Sequence, residues 1–510
     1  MLVKIILLLL FFGCMIAVGL YARKSANSMT DFVLGGRSVG PWLSAFAYGT
    51  SYFSAVVFVG YAGQFGWKYG LASTWIGLGN AVIGSLLAWV AMGRRTRVMT
   101  HHLEVATMPD FFGRRYDSNV IKIVASAIAF VFMIPYTASV YNGLSRLFGM
   151  AFDIPYTVCV ITMAVLTGVY VILGGYMATA INDFIQGIIM LFGIVAVIGA
   201  VLSGQGGFIE AVRKLSELPS DVPVTMGQQG AFASFFGTDP LNLLGVIILT
   251  SLGTWGLPQM VHKFYAIKSE KAIKTGTIVS TFFAVIVSGG CYFLGGFGRL
   301  FDAEALYKAD GSVMYDAIVP SMLSTLPDLL IGVVIILVLS ASMSTLSSLV
   351  LTSASTLTLD FIKGNIVKEM DDKKQLIYIR VLIVFFIVIS VVLALNPPTF
   401  IAQLMGISWG ALAGAFLAPF LYGLYWKGVT RAGVWASFLC GVGITVSNMF
   451  FKFIASPINA GAAAMIAGLI ITPVVSLVTP KINAAFVNKM FQCYDNTAKV
   501  SSKEYLKEEA

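Results

Sequence analysis

Thirteen long apolar segments constrain the fold of this chain more than any other feature. Each is close to the roughly 20 residues that a helix needs to cross a bilayer, and no soluble domain or low-complexity linker separates them. Charged residues make up only 11% of the chain, whereas soluble domains carry about a quarter. The sequence therefore predicts an all-α integral membrane protein. Its predicted spans are 3–22, 40–66, 71–93, 120–149, 154–173, 179–203, 241–263, 272–298, 327–360, 376–395, 398–425, 431–453 and 460–479.

Lysine and arginine mark loops that face the cytosol, and here they fall in alternate loops. The basic residues of these loops are Arg23, Lys24 and Arg37; Arg94, Arg95, Arg97, Arg114 and Arg115; Lys263, Lys268, Lys271 and Lys274; Lys363, Lys368, Lys373 and Lys374; Lys427 and Arg431; and Lys481 and Lys489. The intervening loops are nearly free of positive charge or acidic on balance. We therefore expect the amino terminus outside, and the carboxyl terminus with its tail, 481–510, in the cytosol.

The first span, 3–22, has the position of a cleavable signal peptide. Cleavage would leave Arg23, Lys24 and Arg37 outside, against the charge rule, so we expect a true span. The net charge of +9 requires no nucleic acid, because loops facing anionic cytosolic lipid account for it. The expected location is the cell membrane (plasma or inner), with several passes through the lipid bilayer.

Two spans carry signs of an interrupted helix. The centre of the second span, Tyr48–Ser54, is polar, and the seventh span ends in Ser251–Met260, which contains two glycines and Pro258. Such segments free backbone carbonyls, which lipid tolerates only where they line a cavity or bind a ligand. The two breaks lie five spans apart, and because five is odd the second half would run opposite to the first. This predicts an inverted repeat with a site between its halves.

A row of hydroxyls is the main chemical feature of the ninth span. Steps of three and four residues place these hydroxyls on one helix face. Buried oxygens indicate a site for a small hard cation, although hydroxyl residues also pack membrane helices closely together. The row comprises Ser340, Ser344, Ser347, Ser348, Thr352 and Ser355.

Asp183 lies about one turn inside the predicted sixth span, at a depth compatible with Ser347 and Ser348. It would serve as a first-turn acid that the helix dipole favours, or as an anion that a bound cation keeps ionised. An aspartate within the membrane is costly unless it is paired, and no lysine or arginine lies near it in sequence.

Four motifs together resemble the sodium/solute symporter family, which contains sodium/proline, sodium/pantothenate and sodium/glucose transporters. The motifs are Asp31–Ser38, Gly174-Gly175 with Asp183, Met343–Ser348, and Ser408-Trp409-Gly410 with Trp426-Lys427. The resemblance covers most of the chain and implies a five-plus-five inverted repeat similar to the leucine transporter. It would form a single transmembrane domain, 1–480, with repeats at about 40–203 and 241–425 and flanking helices 3–22, 431–453 and 460–479.

The resemblance also implies binding residues. One sodium ion would be held by the backbone carbonyls of Thr50, Phe53 and Ala341 and the hydroxyls of Ser344 and Thr345. A second ion, found in some members, would be held by Asp183, Ser344, Ser347 and Ser348. The solute would contact Ser51, Tyr52, Tyr141, Trp255, Gln259 and Trp409. Proline transporters of the family carry an aspartate in place of Tyr52, and this tyrosine with Lys68–Leu71 is more similar to the pantothenate branch.

The expected function is therefore transport and not enzymatic catalysis. A sodium-coupled symporter would import a small organic solute, such as pantothenate, a short monocarboxylate or an amino acid such as proline, by alternating access. No obligate protein partner is evident, and no P-loop indicates an ATP-driven pump. The alternatives are a proton-coupled carrier with Asp183 as its titrating group, a solute-sensing membrane protein, or an intramembrane acyltransferase. The last needs an acid/base group facing a membrane cavity, and we expect His101, His102 and His262 at the cytosolic interface.

Overall fold

Helices form the regular structure of the described residues. This computed structural model describes residues 2–25, 28–152, 154–363, 365–367, 369–397 and 401–494, and within these ranges it contains three isolated β-bridges but no strand. Lys368, the start of the predicted span at 398–400 and the tail at 495–510 lie outside the described residues.

The helices of the amino-terminal half are α1 (Leu2–Ala22), α2 (Met29–Leu34), α3 (Pro41–Tyr52), α4 (Ala62–Tyr69), α5 (Thr74–Gly79), α6 (Arg94–His102), α7 (Met108–Arg115), α8 (Asn119–Phe152), α9 (Tyr156–Gly204) and α10 (Phe208–Glu217). Those of the carboxyl-terminal half are α11 (Pro240–Leu252), α12 (Pro258–Tyr265), α13 (Glu270–Gly295), α14 (Tyr315–Ser324), α15 (Asp328–Thr356), α16 (Asp372–Leu395), α17 (Ile401–Tyr425), α18 (Arg431–Phe451) and α19 (Pro457–Val478). Segments of π-helix extend α4, α5 and α15, at Val56–Tyr61, Asn80–Leu87 with Trp89–Gly93, and Leu357–Ile362.

Ten helices in the described residues are long and apolar enough to cross a membrane, and the bent pair α11–α12 raises the number to eleven. Two of the ten, Val56–His102 and Tyr156–Gly204, have 47 and 49 residues, about twice the length that a bilayer requires. The second of these contains a non-helical residue at Gly175, with φ 55° and ψ −145°. Counting each long helix as two spans gives the thirteen that the sequence predicts, and that number remains a prediction.

Both helix breaks predicted from the sequence are present. The first is at Phe53, where α3 has ended and the backbone is extended (φ −110°, ψ 99°). The second separates α11 from α12, whose axes differ by 40°. Pro258 opens α12 at its first turn, where its missing N–H costs nothing. The inverted repeat at 40–203 and 241–425 and the single domain 1–480 remain predictions that these matching breaks support.

The helices α15 and α17 lie at the centre of the bundle. Of the most apolar stretch of each, 78% and 89% of the residues are buried, compared with 22% for α1. Large apolar side chains such as Leu9, Phe192 and Phe450 are instead exposed on the outside of the bundle, as lipid contact requires. The hydroxyl row of α15 is therefore buried inside the protein and does not face lipid.

Glycines permit a very close approach between α4 and α13. A Cβ atom at Gly295 would overlap the carbonyl oxygen of Ala62, and one at Gly66 would overlap the carbonyl oxygen of Gly295. We expect Gly295→Ala to lower the free energy of unfolding by about 1–3 kcal/mol, because the helices must separate. The matched control is Gly289→Ala on the same helix, where no atom lies within 4 Å of the added carbon. Thermal denaturation in detergent measures both, and equal melting temperatures would contradict the prediction.

Candidate functional site

Backbone carbonyls and hydroxyls converge where the end of α3 meets the middle of α15. The Ser344 hydroxyl donates to the carbonyl of Thr50 at 2.9 Å. The Thr345 hydroxyl lies 3.1 Å from the carbonyl of Ala341, 3.3 Å from that of Ser51 and 3.4 Å from that of Thr50. All five residues are buried. Four of the five residues predicted to hold the first sodium ion thus lie together.

The break after α3 makes these carbonyls available. The last carbonyls of a helix have no partner in the following turn, and Phe53 is already extended. No hydrogen bond from another described residue reaches the Phe53 carbonyl. An array of neutral oxygens suits a hard cation. Among the described residues no group of three or more His, Cys, Asp and Glu side chains could hold a metal ion.

A lysine occupies the second predicted cation position. The Lys263 ammonium donates to the Ser348 hydroxyl at 2.8 Å and lies 3.6 Å from Oδ2 of Asp183. Ser348 is also 2.8 Å from the Ser51 hydroxyl. Lys263 and Asp183 are 2% and 0% exposed, so the expectation that Lys263 lies in a basic cytosolic loop is wrong. The lysine is buried because α12 packs against α3, α6 and α15, and all eight of its residues are buried.

The other two residues of the second predicted set make different contacts. The Ser347 hydroxyl donates to the carbonyl of Ser344 within α15, at 2.9 Å, while the Ser344 hydroxyl turns toward α3. The structure therefore brings together Asp183 and Ser348, with Lys263 between them. The Ser344 hydroxyl belongs instead to the first cluster, where it contacts Thr50.

Aromatic side chains surround the break on its other side. The Tyr52 ring stacks on Phe53, with centroids 4.2 Å apart, and lies 6.1 Å from the Trp409 ring. Tyr136 meets the edge of Trp409 at 5.8 Å. The Tyr136 hydroxyl and the Trp409 indole nitrogen are buried and have no hydrogen-bond partner among the described residues. Sequence reasoning missed Tyr136, although Pro135 inside α8 was a signal of a functional position.

The remaining residues predicted to contact the solute differ in whether their polar groups already have a hydrogen-bond partner. The Ser51 hydroxyl is engaged by Ser348, and the Trp255 indole donates to the carbonyl of Ile83 at 3.0 Å. The side-chain amide of Gln259 and the hydroxyl of Tyr141 are buried without a hydrogen-bond partner.

His262 departs from the expectation for the three histidines. Its ring is 5% exposed and lies between Tyr176 and Tyr265, with centroid distances of 5.5 and 5.9 Å. The expectation that it is an interfacial residue is therefore wrong, because the second half of the broken span is buried.

A cavity of about 720 Å³ opens on the side that the sequence predicts to be outside. Arg299 supports its wall by pairing with Asp221 at 2.6 Å and donating to the carbonyl of Trp67 at 2.8 Å. Gln64, eleven residues beyond Phe53, also lines this cavity. We call this cavity the outer vestibule; Tyr52, Tyr136 and Trp409 do not line it.

On the opposite side, the segments that lead into α3 and out of α12 are bonded together. The backbone N–H of Val39 donates to the carbonyl of Ala266 at 3.2 Å, and that of Lys268 to the carbonyl of Val39 at 3.0 Å. The Arg97 guanidinium donates to the carbonyls of Ile267 and Lys268, at 2.9 and 2.8 Å. These contacts hold the two segments together on the predicted cytosolic side.

Comparison with known proteins decides the family. The model of the sodium:solute symporter family matches residues 32–441. The chain belongs to this family. It is therefore a multi-pass protein of a membrane transporter family, which confirms the resemblance found in the sequence.

Similar proteins share most of the length of this family member. A sodium/proline symporter of Staphylococcus aureus (strain JH9) is 30% identical over 500 residues, covering 94% of this chain and 92% of the relative. A Na⁺-coupled sialic acid symporter in a substrate-bound outward-open state has a TM-score of 0.77 at 16% identity, with 94% and 98% of the two chains covered. Mhp1, a nucleobase-cation-symport-1 family transporter, has a TM-score of 0.55 at 13% identity, with 90% and 97% covered. At these low sequence identities, the similarity to the two solved structures shows that this chain shares their fold.

Proposed function

We propose that this family member couples the entry of sodium to the import of a small organic solute. The observation that carries the proposal is the cluster of Thr50, Ala341, Ser344 and Thr345 oxygens between α3 and α15. Phe53 completes this first site. The names of the Staphylococcus aureus relative and of the sialic acid symporter, both sodium-coupled, support the same ion.

An ion at this place acts as a link between two elements. It is bound by carbonyls from the end of α3 and by hydroxyls from α15, so it stabilises the arrangement in which those elements meet. In this proposal, the outer vestibule and the segments joined on the opposite side correspond to one end of an alternating-access cycle. The proposed orientation has the amino terminus outside and the carboxyl terminus in the cytosol, with the protein in the cell membrane.

The sodium gradient supplies enough free energy for accumulation. A potential of about 100 mV contributes about 2.3 kcal/mol per charge, and a tenfold concentration ratio about 1.4 kcal/mol. One ion therefore sustains a solute gradient of roughly several hundred-fold.

The solute site proposed here is the aromatic cluster of Tyr52, Tyr136 and Trp409, with Gln259, Trp255, Tyr141 and Ser51 as further candidates. Its rings provide apolar contact, and its unpartnered hydroxyl and indole groups provide donors. The charged residues lining the vestibule are Lys68, Arg299, Asp221 and Asp239, two of each sign, so the entrance favours neither cations nor anions. Pantothenate, a short monocarboxylate and an amino acid such as proline all fit these properties.

Thermal stability with and without sodium tests the ion and the solute together. We expect sodium, but not choline at equal pH and ionic strength, to raise the melting temperature of the purified protein, because an ion that binds only the folded state stabilises it. A screen of small acids and amino acids should then give a further rise that requires sodium. Uptake of the identified solute into proteoliposomes completes the test. Stabilisation and uptake that follow pH and ignore sodium would favour a proton-coupled carrier, and solute binding without flux would favour a sensor.

A further inference from the structure

Lys263 stands at the position where a second cation was predicted. Its ammonium is the nearest positive charge to the buried Asp183 carboxylate, at 3.6 Å, and it donates to Ser348 at 2.8 Å. It also lies 5.2 Å from the centre of the Tyr176 ring, where the ring face attracts a cation. The Lys263 ammonium is thus surrounded by the Asp183 carboxylate, the Ser348 hydroxyl and the face of the Tyr176 ring.

Charge balance around this ammonium disfavours a further ion, although neither carboxylate oxygen of Asp183 has a hydrogen-bond partner among the described residues. The only acidic partner that the structure gives Lys263 within 4 Å is Asp183, in the described part of the chain. The two charges cancel, and an added sodium ion would leave an uncompensated positive charge inside the membrane, which is costly. The like charge of Lys263 would also repel it directly. The first cluster differs, because the side chains that form it are uncharged and, among the described residues, no ammonium donates a hydrogen bond to it.

We propose that the Lys263 ammonium is a built-in cation that holds the place of a second sodium ion, so that the protein binds one sodium ion per transport cycle. The inference rests on the sodium-coupled function proposed above. It also assigns a coupling role to Lys263: the residue belongs to α12, Asp183 to α9 and Ser348 to α15. Lys263 therefore links α12 to α9 and α15 through covalently attached charge. A free sodium ion would link these helices only while it is bound.

Direct counting of bound ions tests this proposal without knowledge of the solute. Binding of ²²Na⁺ to the purified full-length protein in nanodiscs should saturate at one ion per molecule. Lys263→Gln leaves the buried Asp183 carboxylate without its positive partner, so a sodium ion should take the place of the ammonium and the variant should bind two, a doubling, while Lys263→Arg keeps the positive charge and should bind one. The double variant Lys263→Gln/Asp183→Asn removes both charges and should return to one. Sodium should also raise the melting temperature of Lys263→Gln more than that of the wild type, because the ion replaces the missing charge.

Each outcome separates this inference from the function on which it rests. No sodium bound by the wild type would overturn sodium coupling itself. Two ions bound by the wild type, or one by Lys263→Gln, would overturn the role of Lys263 and leave sodium coupling intact. If Lys263→Gln does not fold, Lys263→Thr offers a small oxygen ligand in its place and should bind two ions, and one ion there would likewise overturn the inference.

Discussion

Ser344→Ala and Thr345→Ala should each weaken sodium binding by roughly 10- to 100-fold while the protein stays folded. Each substitution removes one hydroxyl from the cluster of carbonyls formed by Thr50, Ser51 and Ala341. Loss of one polar partner of a buried group costs about 1–3 kcal/mol, and about 1.4 kcal/mol corresponds to a tenfold change in affinity. The measurement is the sodium concentration that gives half of the maximal rise in melting temperature, supported by ²²Na⁺ binding.

Ser342→Ala provides the matched control for both variants. Ser342 is buried on the same helix, but its hydroxyl donates only to the carbonyl of Val338, one turn earlier, at 2.7 Å. The same chemical change there should leave the half-maximal sodium concentration within about twofold. If Ser344→Ala and Thr345→Ala bind sodium as well as Ser342→Ala does, the ion does not bind between α3 and α15.

The broken helices could be predicted because their causes are local. A polar run at Tyr48–Ser54 and a proline at position 258 disrupt a helix wherever the chain places them. The hydroxyl face of α15 was predictable for the same reason, because a spacing of three and four residues fixes a face before any packing is known. The resemblance to the symporter family added the carbonyl ligands, which have no signature in residue type.

The partner of Asp183 could not be predicted, because it depends on packing between distant segments. Lys263 lies 80 residues away in the chain and continues into a run of basic residues, Lys268, Lys271 and Lys274, that marks the cytosolic side. Its burial follows from the direction that α12 takes after the 40° bend, which the sequence does not specify. Tyr136 was missed for a similar reason, since only the position of α17 brings Trp409 against it.

Asp183→Asn should lower the free energy of unfolding by about 3–5 kcal/mol, because it leaves the Lys263 ammonium buried without a counter-charge. The two side chains are 0% and 2% exposed and 3.6 Å apart, so water does not replace the lost partner. Lys263→Met should cost a similar amount by leaving the carboxylate unpaired. Unfolding by the choline salt of dodecyl sulfate in sodium-free mixed micelles, followed by tryptophan fluorescence, measures the free energy of each variant without an ion that could replace the missing charge.

The double variant Asp183→Asn/Lys263→Met distinguishes an ion pair from two independent charges. A buried pair replaced by neutral groups of similar volume is often no less stable than the original, so the double variant should recover most of the stability that either single variant loses. The coupling free energy from this double-mutant cycle should exceed about 1 kcal/mol. Losses that simply add would mean that the two residues do not act on each other, and the 3.6 Å separation would then describe proximity without an energetic link between α9 and α12.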